Sequence, residues 1–206
     1  MIVAVDSIVG AVMAELKKQG LDENTLVIFT SDNGPHREGG GDPDFFDSNG
    51  IYRGIKRDLY DGGIRVPTIA RWPGKIKAGG SSDLLSGFVD FFETMADLID
   101  MEHQNKTDGI SFLPTLLGQD QKGHEYLYWE FYEQGGKQGL LMDNWKCIKL
   151  MVNEPDNMII ELFDQGTDPG EEKNVAALNP DIVEKALAIM EKEHVRNEDF
   201  KFTFEQ

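Results

Sequence analysis

The chain has 206 residues, 37 of them acidic and 20 basic, for a formal net charge of -17 at neutral pH. So acidic a balance repels polyanions and argues against nonspecific nucleic-acid binding, and no apolar run is long enough to span a membrane. At 40% hydrophobic and 28% charged residues, the composition is that of a soluble globular chain, with enough apolar material for one medium domain or two small ones.

Ile2, Val5, Val9, Val12, Met13 and Leu16 recur at helical spacing, and Gly20 stands where that helix would end. Residues 25–34, T-L-V-I-F-T-S-D-N-G, are an apolar run that stops abruptly at a carboxylate, an amide and a glycine. The run suits a strand over residues 25–31, buried on both faces of a parallel sheet. Open α/β sheets bind ligands beyond the carboxyl ends of their strands, where Asp32 and Asn33 fall. The same triplet also suits a plain turn, with Gly34 at positive φ and the polar side chains bonded to backbone.

Asp42, Asp44, Asp47 and Asn49 hint at a calcium loop. They fail the EF-hand template, because Phe46 stands where an oxygen ligand is needed and Asp47 where the glycine belongs. From residue 53 to residue 77 the charge reverses, with seven basic residues against two acidic ones. That segment can hold one compact anion in an otherwise acidic protein. Lys56 is best set for it, between Gly54 and the Gly62-Gly63 pair, where the backbone can fold tightly and bring the ammonium close to a bound group. Arg37, Arg53 and Arg57 either reach further anionic groups or pair with Asp58 and Asp61. A second strand is expected over residues 66–71. A helix capped by Ser86 should follow, with Phe88, Phe91, Phe92, Met95 and Ile99 as a packing stripe.

The polar stretch at residues 119–123 marks the most natural boundary. Beyond it, strand-like runs fall at residues 125–131, 139–142, 145–151 and 158–163, and Asp143-Asn144 and Pro155-Asp156-Asn157 separate the later ones as hairpin turns. A final helix has Asn179 as N-cap, Pro180 at its first position and Val183, Ala186, Leu187 and Met190 on one face. Cys147, inside the alternating W-K-C-I-K-L, reads as a small core residue. The D-P-G-E-E run at residues 168–172 reads as a turn, and Tyr126, Tyr128, Trp129 and Tyr132 as sheet packing. His103, His124 and His194 carry no catalytic assignment.

Taken together, T-L-V-I-F-T-S-D-N-G, R-G-I-K, Y-D-G-G-I-R-V-P, I-A-R-W-P-G, D-G-I-S-F-L-P-T-L-L-G and I-E-L-F-D-Q-G-T-D-P-G-E-E-K-N resemble, in order and spacing, the C-terminal half of the sulfatase family, arylsulfatase or N-acetylgalactosamine-6-sulfatase-like, in the alkaline phosphatase-like superfamily. The resemblance implies an α/β fold. Residues 1–120 would be the C-terminal portion of the sulfatase α/β sheet domain, and residues 124–206 a small subdomain of antiparallel sheet and one helix.

It also implies that Asp32 and Asn33 coordinate a divalent cation, generally calcium, and that Lys56 contacts the sulfate group. His36, three residues after Asn33, is a candidate substrate contact or else a loop histidine bonded to backbone. A carboxylate and an amide carbonyl suit a hard cation, but two residues cannot complete a shell of about six to eight oxygens. Sulfatases attack sulfur with a formylglycine made from the Cys or Ser of a C/S-x-P-x-R motif, which this sequence lacks. The expectation is therefore a fragment of a sulfatase, inactive alone, whose full-length enzyme hydrolyses a sulfated small molecule or glycan in a periplasmic or extracellular setting. The alternatives are a phosphoryl-transfer relative with zinc or manganese, against which Asn33 stands where those sites present histidine, and a noncatalytic binding or assembly module.

Overall fold

The computed structural model describes residues 2–205. In chain order the elements are α1 (Ile2–Lys18), β1 (Val27–Thr30), α2 (Pro43–Phe46), α3 (Asp61–Ile64), β2 (Thr68–Arg71), α4 (Asp90–Leu98), α5 (Leu113–Leu116), β3 (Tyr126–Phe131), β4 (Lys137–Met142), β5 (Trp145–Leu150), β6 (Ile159–Asp164) and α6 (Pro180–Glu193). They fall into two compact units, one taking the chain up to Thr30 together with Pro67–His124, the other Ser31–Val66 and the chain from Glu125 onward.

In the first unit α1 ends as its sequence predicts. Gly20 adopts a φ of 69°, and the Leu21 N–H returns 2.9 Å to the Leu16 carbonyl, the closure that a left-handed glycine permits. None of the helix's residues is buried among the described residues. β1 pairs with β2 antiparallel, Val27 opposite Arg71 and Thr30 opposite Thr68. The parallel arrangement, buried on both faces, is therefore not what forms: Phe29 and Ile69 are exposed. A short apolar run reports burial tendency and carries no information on the direction of its partner. Ser86 does not cap α4, which starts after Val89 with no side-chain cap. Asp90 instead reaches back and outward: its buried carboxylate accepts from the Gly87 N–H at 2.7 Å and the Ile110 N–H at 2.8 Å, and faces His124 Nε2 at 2.7 Å. Three contacts satisfy a charge that would otherwise be costly inside the protein.

In the second unit β3, β4, β5 and β6 form an antiparallel meander in sequence order. Successive side chains on a strand point to opposite faces, and the burial follows that rule. Leu140, Met142, Cys147 and Leu162 pack with Ala186 and Met190 of α6, whereas Ile148 and Phe163, one residue on from Cys147 and Leu162, pack with Tyr60 on the other face. Pro180 opens α6 as expected, but Asn179 makes no cap bond; its amide donates backward to the Val175 carbonyl at 3.0 Å, drawn into the tight turn that precedes the helix. Cys147 is wholly buried, and burial pushes its thiol up to about 12.

Candidate functional site

All four candidate residues lie in the second unit. The D-N-G segment is fixed by backbone. The Gly34 N–H donates to the Gly63 carbonyl at 2.9 Å, and a Cβ on Gly34 would lie 1.8 Å from the Gly62 carbonyl oxygen. Gly34 is therefore needed for close approach rather than for a positive φ, which it does not adopt. The Asn33 side-chain NH2 donates to the Gly34 carbonyl at 2.9 Å, which leaves its carbonyl oxygen as the free end. Asp32 is exposed.

The Lys56 segment meets it. The Lys56 N–H donates to the Pro35 carbonyl at 2.8 Å, and the Asp58 N–H closes a turn onto the Ile55 carbonyl at 2.9 Å. Gly62 and Gly63 are again sites of contact, since an added Cβ would lie 2.3 Å from the Gly54 and Asp58 carbonyl oxygens respectively. Two motifs more than twenty residues apart are thereby sewn together through peptide groups. Glu38, which the sequence reading did not single out, stands beside both cations of the turn: 2.6 Å from Arg57 Nη1 and 3.9 Å from Lys56 Nζ. The Arg57 guanidinium, with help from Lys56, holds the Glu38 carboxyl below its usual range. His36 is exposed, and its Nδ1 accepts the Glu38 N–H at 3.0 Å, the backbone-bonded loop geometry.

Beneath the turn lies a buried ionic floor. Lys146 Nζ, on β5, reaches Asp61 Oδ1 at 3.1 Å and sits 4.9 Å from the Trp129 ring centroid. Glu171 accepts the Asp61 N–H at 2.7 Å and the Gln165 amide at 3.1 Å. Burial pushes the Glu171 carboxyl up to about 7, against the pull of the Lys146 ammonium. Arg53 donates to the Glu171 carbonyl at 3.0 Å and stacks 4.0 Å over the Tyr60 ring. Asp58 and Asp61 are thus engaged by Lys137 and Lys146, not by Arg37, Arg53 or Arg57. The D-P-G-E-E run is the expected turn, its Asp168 accepting two backbone N–H groups. Asp42 caps α2, accepting the Asp44 and Phe45 N–H groups, which accounts for that acidic loop without a metal.

Whether these residues suit a calcium ion turns on donor type and number. Asp32 and Asn33 offer a carboxylate and a carboxamide oxygen, the hard donors calcium takes. Among the described residues no group of three or more His, Cys, Asp or Glu side chains comes together to hold a metal, so they fit as part of a shell and not as a whole one. Formylglycine does not fit this chain: there is no C/S-x-P-x-R motif and the single cysteine is buried.

Comparisons with known proteins point to one family. The Sulfatase family model matches residues 1–101. The chain is 30% identical to the N-acetylgalactosamine-6-O-sulfatase of Bacteroides thetaiotaomicron over 95% of its own length and 41% of the relative's. It is 31% identical to arylsulfatase A of Homo sapiens over 87% of its length and 39% of that protein's. A solved structure of a protein in complex with its substrate D-glucosamine-2-N,6-O-disulfate matches with a TM-score of 0.75 at 25% identity, over 93% of this chain and 38% of the other. The chain belongs to the sulfatase family and corresponds to the C-terminal part of its members, spanning about two fifths of the length of the relatives it matches.

Proposed function

We propose that this chain supplies the sulfate-facing loops of a sulfuric-ester hydrolase, with Asp32 and Asn33 as two ligands of a calcium ion and Lys56 as the sulfate contact. The observation that supports the reading is the pair of backbone bonds, Gly34 to Gly63 and Lys56 to Pro35, which join the segment that carries Asp32 and Asn33 to the turn that carries Lys56. When bound, calcium would offset the charge of the sulfate oxygens. Lys56 acts as an electrostatic clamp on charge that builds on the sulfuryl group, not as a proton acceptor. Asn33 has its NH2 tied to the Gly34 carbonyl, which leaves its carboxamide oxygen to serve as the ligand atom. His36 can meet the group that carries the ester, its Nδ1 being used and its Nε2 free of hydrogen bonds among the described residues.

A sulfated glycan is the substrate class we favour, supported by the N-acetylgalactosamine-6-O-sulfatase relative and by the matching protein whose substrate is a disulfated glucosamine; a periplasmic or extracellular setting goes with it. Because the chain holds no formylglycine motif, we propose that it turns over no sulfate ester by itself. Two measurements test the reading. The purified chain should give no hydrolysis of an aryl sulfate, and metal-dependent turnover would overturn the assignment of the nucleophile elsewhere. Titration with calcium chloride and then sodium sulfate should shift the amide resonances of Asn33, Gly34 and Lys56 together; shifts at one segment without the other would overturn the shared site.

A further inference from the structure

We infer that Lys137 is the residue that positions Lys56, by clamping the backbone of the turn on which Lys56 stands; this rests on the proposed sulfate contact of Lys56. The turn runs from Ile55 to Asp58 and closes with the Asp58 N–H on the Ile55 carbonyl at 2.9 Å. Its third residue, Arg57, has a φ of 78°. A positive φ at that place defines the type II family of turns, which take glycine there. A long side chain in the left-handed region persists only where the surroundings hold it.

Lys137 does the holding. Its Nζ donates to the Arg57 carbonyl at 2.8 Å, to Asp58 Oδ1 at 3.0 Å and to Gln134 Oε1 at 2.8 Å. An ammonium has three protons, so all are spent, and the side chain is 9% exposed. Lys137 itself is thereby saturated, with no proton left for a ligand. The other oxygen of Asp58 accepts the Ile55 N–H at 3.1 Å. Both ends of the turn are pinned, one directly by Lys137 and the other through the carboxylate that Lys137 fixes. What projects from the pinned turn is the Lys56 side chain, which is one-third exposed. An ammonium that must meet a sulfate oxygen gains from a backbone already set in place, because the ordering is done before the ligand arrives.

The inference has a test that separates positioning from mere stability. Lys137→Met removes the three bonds, and in that background Arg57→Gly supplies a residue for which positive φ is free of strain. With the ¹⁵N-labelled chain and sodium sulfate as probe, Lys137→Met should weaken sulfate binding, read at the Lys56 amide, by about tenfold or more. The double variant should recover the affinity of Arg57→Gly alone, while the unfolding temperature stays lowered in both Lys137 variants. Wild-type affinity in Lys137→Met, or no recovery in the double variant, overturns the inference. If Lys137→Met does not fold, Lys137→Gln takes its place under the same criteria. If the wild-type chain shows no sulfate response at Lys56, the sulfate reading fails, and the Arg57 φ read from backbone couplings decides separately: a change of sign in the Lys137 variant supports the clamp, an unchanged φ refutes it.

Discussion

Lys146 Nζ lies 3.1 Å from Asp61 Oδ1, with the lysine side chain wholly buried and the aspartate 8% exposed. Asp61 opens the Asp-Gly-Gly helix that receives the Gly34 N–H, so this ion pair sits under the junction of the two candidate motifs. Its partners come from a β-strand and a short helix 85 residues apart. A charge taken so far from water is tolerable only with a well-placed opposite charge and further hydrogen bonds, and Asp61 has a second cation in Arg65 at 3.3 Å.

Removing Lys146 should therefore cost more than its packing. Lys146→Met leaves the buried Asp61 carboxylate with the largely exposed Arg65 as its partner, and the expected loss is about 3 kcal/mol in unfolding free energy. Lys146→Met with Asp61→Asn should be less destabilised than Lys146→Met alone, because the second change removes the stranded charge. Urea titration of the three proteins measures this; a double variant weaker than the single by the full Asp61→Asn effect would show that the pair does not act as a pair.

Glu171 makes the same floor sensitive to pH. Burial raises its carboxyl from an ordinary 4.5 to about 7, so between those values the folded chain binds a proton that the unfolded chain has lost. The slope of stability with pH follows the difference in bound protons. Glu171 therefore contributes a fall in stability as pH rises from 4.5 towards 7, and none above. Glu171→Gln should flatten that part of the curve. Thermal unfolding of both proteins across the window checks it, and parallel curves would place the proton elsewhere.

These features show what could be read from the residues in order and what could not. The strands of the C-terminal meander were legible to within two residues or so, because apolar alternation is interrupted at Asp143-Asn144, where Asp143 takes a φ of 51° and Met142 pairs with Trp145. Asp32 and Asn33 stood out as oxygen donors at the end of an apolar run, and Lys56 because glycines flank it; Gly34, Gly62 and Gly63 prove to be points where backbones touch. The direction of the β1–β2 pairing and the roles of Ser86 and Asn179 were not legible, since each depends on a partner that local sequence does not name. The lysines on the sheet were hidden for the same reason. Lys146 carried one usable sign: it stands two residues before Ile148, on the face that proves to be buried, and a lysine there needs an anion.

The C-terminal segment depends on protonation in the same sense as Glu171. The His194 ring lies between Glu130 Oε1, 2.6 Å from Nδ1, and Glu205 Oε1, 3.1 Å from Nε2. Burial lowers the imidazole pKa, but the two carboxylates outweigh it and hold the group above its ordinary 6.5. A raised histidine stabilises fully below its unfolded pKa and loses that contribution as pH climbs through the folded value. Tyr128 and Tyr132 also donate to Glu130, and Arg196 acts on Glu205, so the carboxylates stay charged throughout. Amide exchange of residues 202–205, corrected for intrinsic rate, should quicken as pH rises above 6.5, and His194→Gln should remove the dependence. Exchange that follows the intrinsic rate alone in the wild type would dismiss this latch.

Gly34 and Gly10 offer a matched pair in which the same change has opposite consequences. Gly10 lies within α1 with nothing within 4 Å of an added Cβ, so Gly10→Ala gains the helix preference of alanine, about 0.5–1 kcal/mol. At Gly34 the added carbon would meet the Gly62 carbonyl oxygen at 1.8 Å, and the obstacle is backbone, which has no rotamer to change. The D-N-G loop must then move off the Gly-Gly turn, breaking the Gly34 to Gly63 bond and losing about 1–3 kcal/mol or more. Because the Lys56 N–H bonds Pro35, the next residue, that displacement carries to the Lys56 turn. Gly34→Ala should therefore lower the unfolding midpoint and shift the Lys56 amide resonance, while Gly10→Ala raises the midpoint and leaves Lys56 where it is. A Gly34→Ala chain of unchanged midpoint, with the Lys56 resonance unmoved, would mean that the two loops do not touch as described.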